Sequence, residues 1–383
     1  MSSRQSATDW VAGLSPWPEE FGLDRMRALL AELGDPQLAF PSVHVVGTNG
    51  KSTTTRLTAA LLRGEGQRVG AYTSPHVSGW HERLDTNAGG FEQAVARVRP
   101  AAGRLRATQF EALTAAALAE FAAAEVDVAV IEAGLGGRLD ATNVLRAPVV
   151  VLTNVGLDHT EQLGETREEI AAEKLAVVGP GAAVVLCEPE WQALARSSGA
   201  GTVVLTGRSN LALAVAAAET FLGRPVDASP ADTVALPGRL ERRGEAPLEI
   251  RDGAHNLDGI GWLLPRVPDR RYVIVASILG DKDVDGMLAA LSALGDTLVA
   301  TRSSNTRALP AAELARLGSR WFTRTEQEPD PAAALAAAHA IAGPQGAVLV
   351  TGSLYLLADL AAHGEGVPSS TGRDSASSSS PPS

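Results

Sequence analysis

Cysteine is nearly absent: the 383 residues hold only Cys187, inside the apolar stretch AAVVLCEP. A single thiol excludes a disulfide framework and suits a reducing cytoplasm, the expected location. Aromatic residues are scarce at 4%, so the cores must be built mainly from Ala, Val and Leu, within a hydrophobic share of 45%. Basic residues are outnumbered, 33 Lys and Arg against 44 Asp and Glu, for a formal charge of −11. General binding to nucleic acid or to anionic membranes needs a basic face, so neither partner is expected. A small basic pocket for an anionic ligand is still allowed. Long hydrophobic runs are missing as well. No uncharged run reaches the roughly 18 residues of a membrane span. The opening residues, MSSRQSATDW, lack the apolar centre of a secretory signal.

What is present is alternation. VHVV (43–46), VGAYT (69–73), VDVAVIEAG (126–134), PVVVLTNV (148–155) and AAVVLC (182–187) are short, rich in β-branched residues and closed by Gly, Asn or Pro. They read as buried strands. STTTRLTAALLRGEG, QFEALTAAALAEFAAAE and TREEIAAEKLAVV lie between them with helical spacing. Such alternation predicts an α/β fold with a mainly parallel sheet and helices on both faces. The pattern restarts with LEIRD (248–252), RYVIVAS (271–277), DTLVAT (296–301) and GAVLVTG (346–352). At 383 residues two domains are expected. The boundary is set in DASPADTVALPGR, giving domains 1–234 and 235–362. The Ser/Pro/Gly-rich tail 363–383 is expected to be disordered.

The stretch HVVGTNGKST, 44–53, carries the strongest chemical signal. Strand, glycine loop, lysine, hydroxyl and helix follow in the order of a phosphate-binding loop. Glycines let backbone N–H groups turn toward phosphate oxygens, and the helix N-terminus favours anions. Lys51 can reach the terminal phosphates, and Ser52 or Thr53 can hold Mg²⁺. The longer loop pattern fails because Val45 stands where its first glycine belongs.

Carboxylates follow at later strand ends. Glu132 closes a buried strand, the position where open α/β sheets bind ligands, and can serve as a Mg²⁺ ligand. The glycines of GLGGRLDATNV suggest a backbone passing close to a ligand. Ser74 follows another strand end, in YTSPH. Asn154, Asp158 and His159 follow the next; by itself His159 reads as a helix cap rather than a metal ligand. Lys174, in an acidic helix with Glu169 and Glu173, reads as an i,i+4 ion-pair partner. DGAHN brings Asp252, His255 and Asn256 to a strand-to-helix turn, where Asn256 can cap the helix.

In chain order, GTNGKST, TSPHVSGWHERL, TQFEALTAAAL, GLGGRLDATNV, TNVGLDHTEQLGETREEIAAEK, PGRLE, DGAHN, GDKD and TGSLYL resemble one known set of motifs. It is that of the bacterial dihydrofolate synthase/folylpolyglutamate synthase family, in the Mur ligase superfamily. The resemblance runs from Phe21 to Leu356. It implies a P-loop-type first domain and a smaller Rossmann-like second domain that helps bind glutamate. It also implies ATP-dependent amide formation. A pterin-linked carboxylate, of dihydropteroate or a folate, takes the γ-phosphoryl group of ATP, and the amine of L-glutamate then attacks the acyl phosphate.

Carried over by motif, the resemblance implies that Thr48, Asn49, Gly50, Lys51 and Ser52 hold ATP. Asn210 joins them, with Arg239 and Asp252 from the second domain. Ser52 or Thr53, Ser74 and Glu132 would surround one Mg²⁺; Glu132 and His159 would serve a second. Lys174 matches a lysine that is carbamylated in relatives, where the new carboxylate helps hold that second metal. Lys51, Glu132, His159 and Lys174 are the implied catalytic set. Gly22, Leu23, Asp24 and Arg25, then Thr108, Gln109, Phe110 and Glu111, then Leu139, Asp140 and Ala141 match pterin-pocket positions. A monomer is expected.

Four features depart from the family pattern. GKST replaces the usual GKG followed by a hydroxyl; Leu257 replaces a proline after DGAHN; the stretch from Lys174 to Pro237 is short; and only GRSN survives of the motif around Asn210. GKST is shared with cell-wall Mur ligases, so one alternative is an amino-acid ligase acting on a cell-wall precursor. The other is a nucleotide-binding module without ligase chemistry, which would lack part of the catalytic set. The sequence leaves open whether dihydropteroate, a folate or both is the acceptor.

Overall fold

A computed structural model describes residues 6–18, 20–86 and 90–364. The tail expected to be disordered lies outside the described residues beyond Gly364; His363 and Gly364 close the helix Leu354–Gly364. Among the described residues, no helix is long and apolar enough to cross a membrane.

The first sheet is built on β1 (Ser42–Val46), buried along its whole length. It pairs in parallel with β4 (Val128–Glu132) on one side and β5 (Val149–Leu152) on the other. With β2 (Val69–Tyr72), β3 (Leu84–Asp85), β6 (Ala183–Leu186) and β7 (Thr202–Leu205), the order is β3-β2-β4-β1-β5-β6-β7. Only the β2–β3 pair is antiparallel. Side chains alternate between two cores, as the strand period requires. Val43, Val45, Val128 and Val130 face the helices Lys51–Gly64 and Asn210–Leu222. Ala129 and Ile131 face the helices Phe91–Arg104 and Gln109–Ala123. Val150, Val184 and Leu186 meet the helix Arg167–Leu175. Burial on both faces explains why these strands read as unbroken apolar runs.

The second sheet has the order β12-β11-β10-β13-β9-β8. Its strands are β8 (Glu241–Glu245), β9 (Leu248–Arg251), β10 (Tyr272–Ala276), β11 (Thr297–Ala300), β12 (Arg324–Gln327) and β13 (Ala347–Thr351). Only β8–β9 is antiparallel. The boundary set at 234/235 falls between a short turn, Ser229–Thr233, and β8.

The strand order places β1 between β4 and β5, with the chain leaving β1 for a glycine loop and a helix. This is the switch point at which open α/β sheets bind ligands. The second sheet's domain reaches over it. Asn256 donates to Asn49 Oδ1 at 3.1 Å and to Asp158 Oδ2 at 3.1 Å, and Lys282 pairs with Asp158.

Candidate active site

The loop 47–50 is fastened to the end of β5. Thr48 N–H donates to Asn154 O at 3.0 Å, Asn49 N–H to Asn154 Oδ1 at 2.8 Å, and Thr153 Oγ1 to Asn49 O at 2.7 Å. Gly50 is left-handed (φ 83°) and opens the helix Lys51–Gly64. A methyl group there would overlap the amide of Asn210, so Asn210 abuts the loop although it does not line the cavity. Lys51 curls over its own loop, donating to Gly47 O at 3.1 Å and Thr48 O at 3.2 Å.

Glu132, at the end of β4, is buried beside this loop. Oε1 accepts from Ser52 Oγ at 2.9 Å and Oε2 from the Ser74 N–H at 2.9 Å. Burial raises its pKa, against the pull of Lys51. The geometry therefore distinguishes the two candidate hydroxyls: Ser52 meets Glu132, whereas Thr53 does not line the cavity. Among the described residues no three His, Cys, Asp or Glu side chains form a metal cage. A carboxylate with one hydroxyl still suits Mg²⁺, which keeps water and takes substrate phosphates as ligands.

Lys174 departs from the ion-pair reading. It is buried, and its Nζ donates to Gly47 O at 3.0 Å, under the phosphate loop. Its expected partners are committed elsewhere. Glu169 completes a capping box with Thr166, and Glu173 pairs with Arg138 at 3.0 Å. Burial, with Lys51 nearby, lowers the Lys174 pKa to about 7. His159 occupies the N-cap position of Thr160–Leu163 in a left-handed conformation (φ 52°), but its ring makes no cap bond. It faces the cavity instead, and burial lowers its pKa against the pull of Asp158. The helix-cap reading of its side chain is thus corrected.

These groups line one cavity of about 640 Å³. Its far wall holds most of the expected pterin positions. Thr108 and Glu111 form a capping box on the helix Gln109–Ala123, and Arg25 Nε reaches Glu111 at 2.8 Å. Gln109 Nε2 donates to Val11 O at 3.1 Å, and the Phe110 ring lies 6.0 Å from Tyr72. Asp140 is buried, which raises its pKa; it accepts from the N–H groups of Leu135 at 2.7 Å and Thr142 at 3.0 Å, shaping the loop that carries Leu139 and Ala141. Gly22 lines the cavity; Leu23, Asp24 and Arg25 do not. Leu23 is buried, and Asp24 is exposed and pairs with Arg27 at 3.3 Å.

The glycine-rich loop answers mainly to protein neighbours. A methyl on Gly134 would meet the Phe110 ring at 2.6 Å, and one on Gly137 would meet the carbonyl oxygens of Glu173 and Lys174 at 2.7 Å. Close approach to a ligand is therefore not what these two positions require. Gly137→Ala is expected to cost about 1–3 kcal/mol by overpacking, read as a lower midpoint in urea. An unchanged midpoint would mean that the loop can step away from the Lys174 helix.

From the second domain, Arg239 lines the cavity. Asp252 does not; its two oxygens accept from Leu240 N–H and Ala254 N–H, each at 2.9 Å, and burial raises its pKa. Asn256 caps its helix, accepting from Gly259 N–H at 2.8 Å. His255 lines the cavity, and burial lowers its pKa to about 4. Lys282, in GDKD, is a cavity residue to which sequence reasoning gave no role. Burial pushes its partner Asp158 up, but Lys282, with His159 and His255 beside it, outweighs this and holds the carboxyl well below the usual range.

Comparison with known proteins agrees with this architecture. Residues 45–221 match the Mur ligase middle domain and 238–354 the Mur ligase glutamate ligase domain. The dihydrofolate synthase/folylpolyglutamate synthase of Mycobacterium tuberculosis is 35% identical, with 80% of each chain covered. A structure of Escherichia coli FolC with DHPP and ADP superposes with a TM-score of 0.84 at 29% identity, covering 94% of this chain and 98% of that one. The bifunctional enzyme of Yersinia pestis with AMPPNP and Mn gives 0.83 at 29%, with the same coverage. The chain belongs to the dihydrofolate synthase/folylpolyglutamate synthase family of Mur ligases.

Proposed function

We infer that the protein is an ATP-dependent ligase that joins L-glutamate to dihydropteroate, to a folate, or to both. The observation that carries this reading is that one continuous cavity joins the two expected sites. It runs from the phosphate loop and Glu132, past Lys174 and His159, to the wall of Phe110, and the second domain covers it. ATP and the organic acid can therefore meet within it.

An oxygen of the acid attacks the γ-phosphorus. The new O–P bond forms as the bond to the β-phosphate oxygen breaks, and ADP leaves. The amine of glutamate then adds to the acyl carbon, loses a proton, and expels phosphate. Lys51 and the loop N–H groups neutralise charge on the moving phosphoryl group. Thr48, Asn49, Gly50 and Ser52 bind the nucleotide, with Asn210 and Arg239 beside it. Asp252 acts from behind, by shaping the turn that presents His255. Gly22, Thr108, Gln109, Phe110, Glu111 and the Leu139–Ala141 stretch bind the pterin end.

Mg²⁺ would be held by Ser52 and Glu132 next to Ser74, where it would supply further charge to the phosphates. A second ion would use His159, whose half-buried ring has its pKa lowered by desolvation, and Lys174 as its carbamate. The lowered Lys174 pKa supports that modification, because only a neutral amine reacts with carbon dioxide.

The test is ADP release. Dihydropteroate or a reduced folate monoglutamate, with ATP and glutamate, is expected to release ADP; a UDP-sugar acid with an amino acid is not. The reverse pattern would favour the cell-wall reading to which GKST points. ATP binding with no acid-dependent turnover would favour a non-catalytic module.

A further inference from the structure

Arg83 closes the short turn Trp80–Arg83 that leads into β3. It is 8% exposed and lines the cavity. Its Nε donates to His76 Nδ1 at 3.0 Å, and its guanidinium lies 4.9 Å from the centre of the Trp80 ring. Burial holds His76 neutral, with a pKa lowered to about 3. Among the described residues no carboxylate forms an ion pair with Arg83, and the nearby acids are occupied. Glu82 takes Arg56 at 2.7 Å and the N–H groups of Val77 and Ser78 at 2.8 and 2.6 Å. Asp85 takes Arg63 at 2.8 Å. Glu132 takes Ser52 and the Ser74 N–H.

A buried charge is costly unless it is paired. A guanidinium stays charged under burial and presents a fork of donors suited to a carboxylate or phosphate. An anionic ligand group would complete this site. Its surroundings limit which one. Tyr72, whose ring meets Phe110 at 6.0 Å, Tyr355 of the second domain and, more weakly, the Glu132 carboxylate act on its charge. Arg83 thus adjoins the aromatic wall of the acceptor pocket and the seam with the second domain. The phosphates already have Lys51 and the loop, and the reacting carboxylate must approach them. A folate ending in glutamate brings a second carboxylate, which does not react. Dihydropteroate brings none.

We propose that Arg83 binds the non-reacting carboxylate of a glutamate-tailed folate acceptor, and so selects for chain extension over dihydrofolate formation. This rests on the ligase reading above.

The full chain is assayed for ADP release with dihydropteroate and with a reduced folate monoglutamate, as wild type, Arg83→Gln and Arg83→Lys. Arg83→Gln is expected to raise KM for the folate about 30-fold, the low end of what loss of a buried charge contact produces. KM for dihydropteroate should change by less than about threefold, and Arg83→Lys should recover part of the loss. A second measurement needs no variant. An acceptor ending in 4-aminobutyrate keeps the reacting carboxylate and lacks the other. Wild type should show for it a KM raised by a similar factor, and Arg83→Gln should not raise it further. Equal losses with both acceptors, or a raised KM for free glutamate, would overturn the proposal. So would a wild-type enzyme that extends dihydropteroate but no folate, a result that leaves the ligase reading standing. Absence of ADP with every acid would instead remove the ligase reading itself.

Discussion

Lys51→Ala is expected to lower acid-dependent ADP release about 10²- to 10³-fold, while the melting temperature stays close to that of wild type. Among the described residues the ammonium hydrogen-bonds only to the carbonyl oxygens of Gly47 and Thr48, within its own loop. It packs no core, so little folding energy depends on it. The transferring phosphoryl group, by contrast, spreads negative charge over three oxygens. A preorganised cation aimed at that charge is worth roughly 3–4 kcal/mol at the transition state, as single oxyanion donors are. Lys51→Arg should recover little, because a planar fork does not fit where one compact ammonium sits. The decisive comparison is kcat at saturating ATP. A variant that turns over within tenfold of wild type would show that phosphoryl transfer does not pass Lys51, even if its ATP affinity falls.

The central strands were legible and the edges were not. β1, β4, β5 and β10 are buried on both faces, so their sequences are apolar throughout and stand out by composition. The four strands that the apolar-run reading omits are β3, β7, β8 and β12, the outermost strands of the two sheets. β8 reads ERRGE and β12 reads RTEQ. Charge on an edge protects against pairing with another chain, and it also erases the hydrophobic signal. The site divides along the same line. The phosphate loop is local, seven residues in order, and could be read directly. Lys174 could not, since its helix looks acidic and solvated; only the packing of that helix under the loop buries the amine. For His159, the position in the chain suggested a cap, and the fold turned the ring toward the cavity. Gly137 shows the converse error. Its lack of a side chain serves the neighbouring helix, a contact no local pattern reports. Arg83 carried no signal, because an arginine near a strand end is ordinary until its acids are found occupied.

Lys174 gives the other large effect. Lys174→Ala is expected to lower turnover about 10- to 100-fold, and short carboxylates such as formate or acetate should restore part of it. The reasoning begins with burial, which with Lys51 brings the amine's pKa to about 7. Above that pH the nitrogen is neutral and its lone pair can attack carbon dioxide. The N–C bond forms, one proton leaves the nitrogen, and a positive side chain becomes a negative one. Below that pH the ammonium has no lone pair and the reaction stops. At a fixed supply of carbon dioxide, activity should therefore decline as pH falls through about 7, and bicarbonate added to enzyme depleted of it should restore activity at pH 8 more completely than at pH 6. The sign matters, because simple loss of a cationic lysine would give the opposite trend, with activity best where the amine is protonated. Mass spectrometry at neutral pH with trapping of the carbamate provides a readout independent of turnover. A Lys174→Ala enzyme with wild-type rates, or a bicarbonate response that persists in that variant, would rule the carbamate out and leave Lys174 as a buried donor to Gly47.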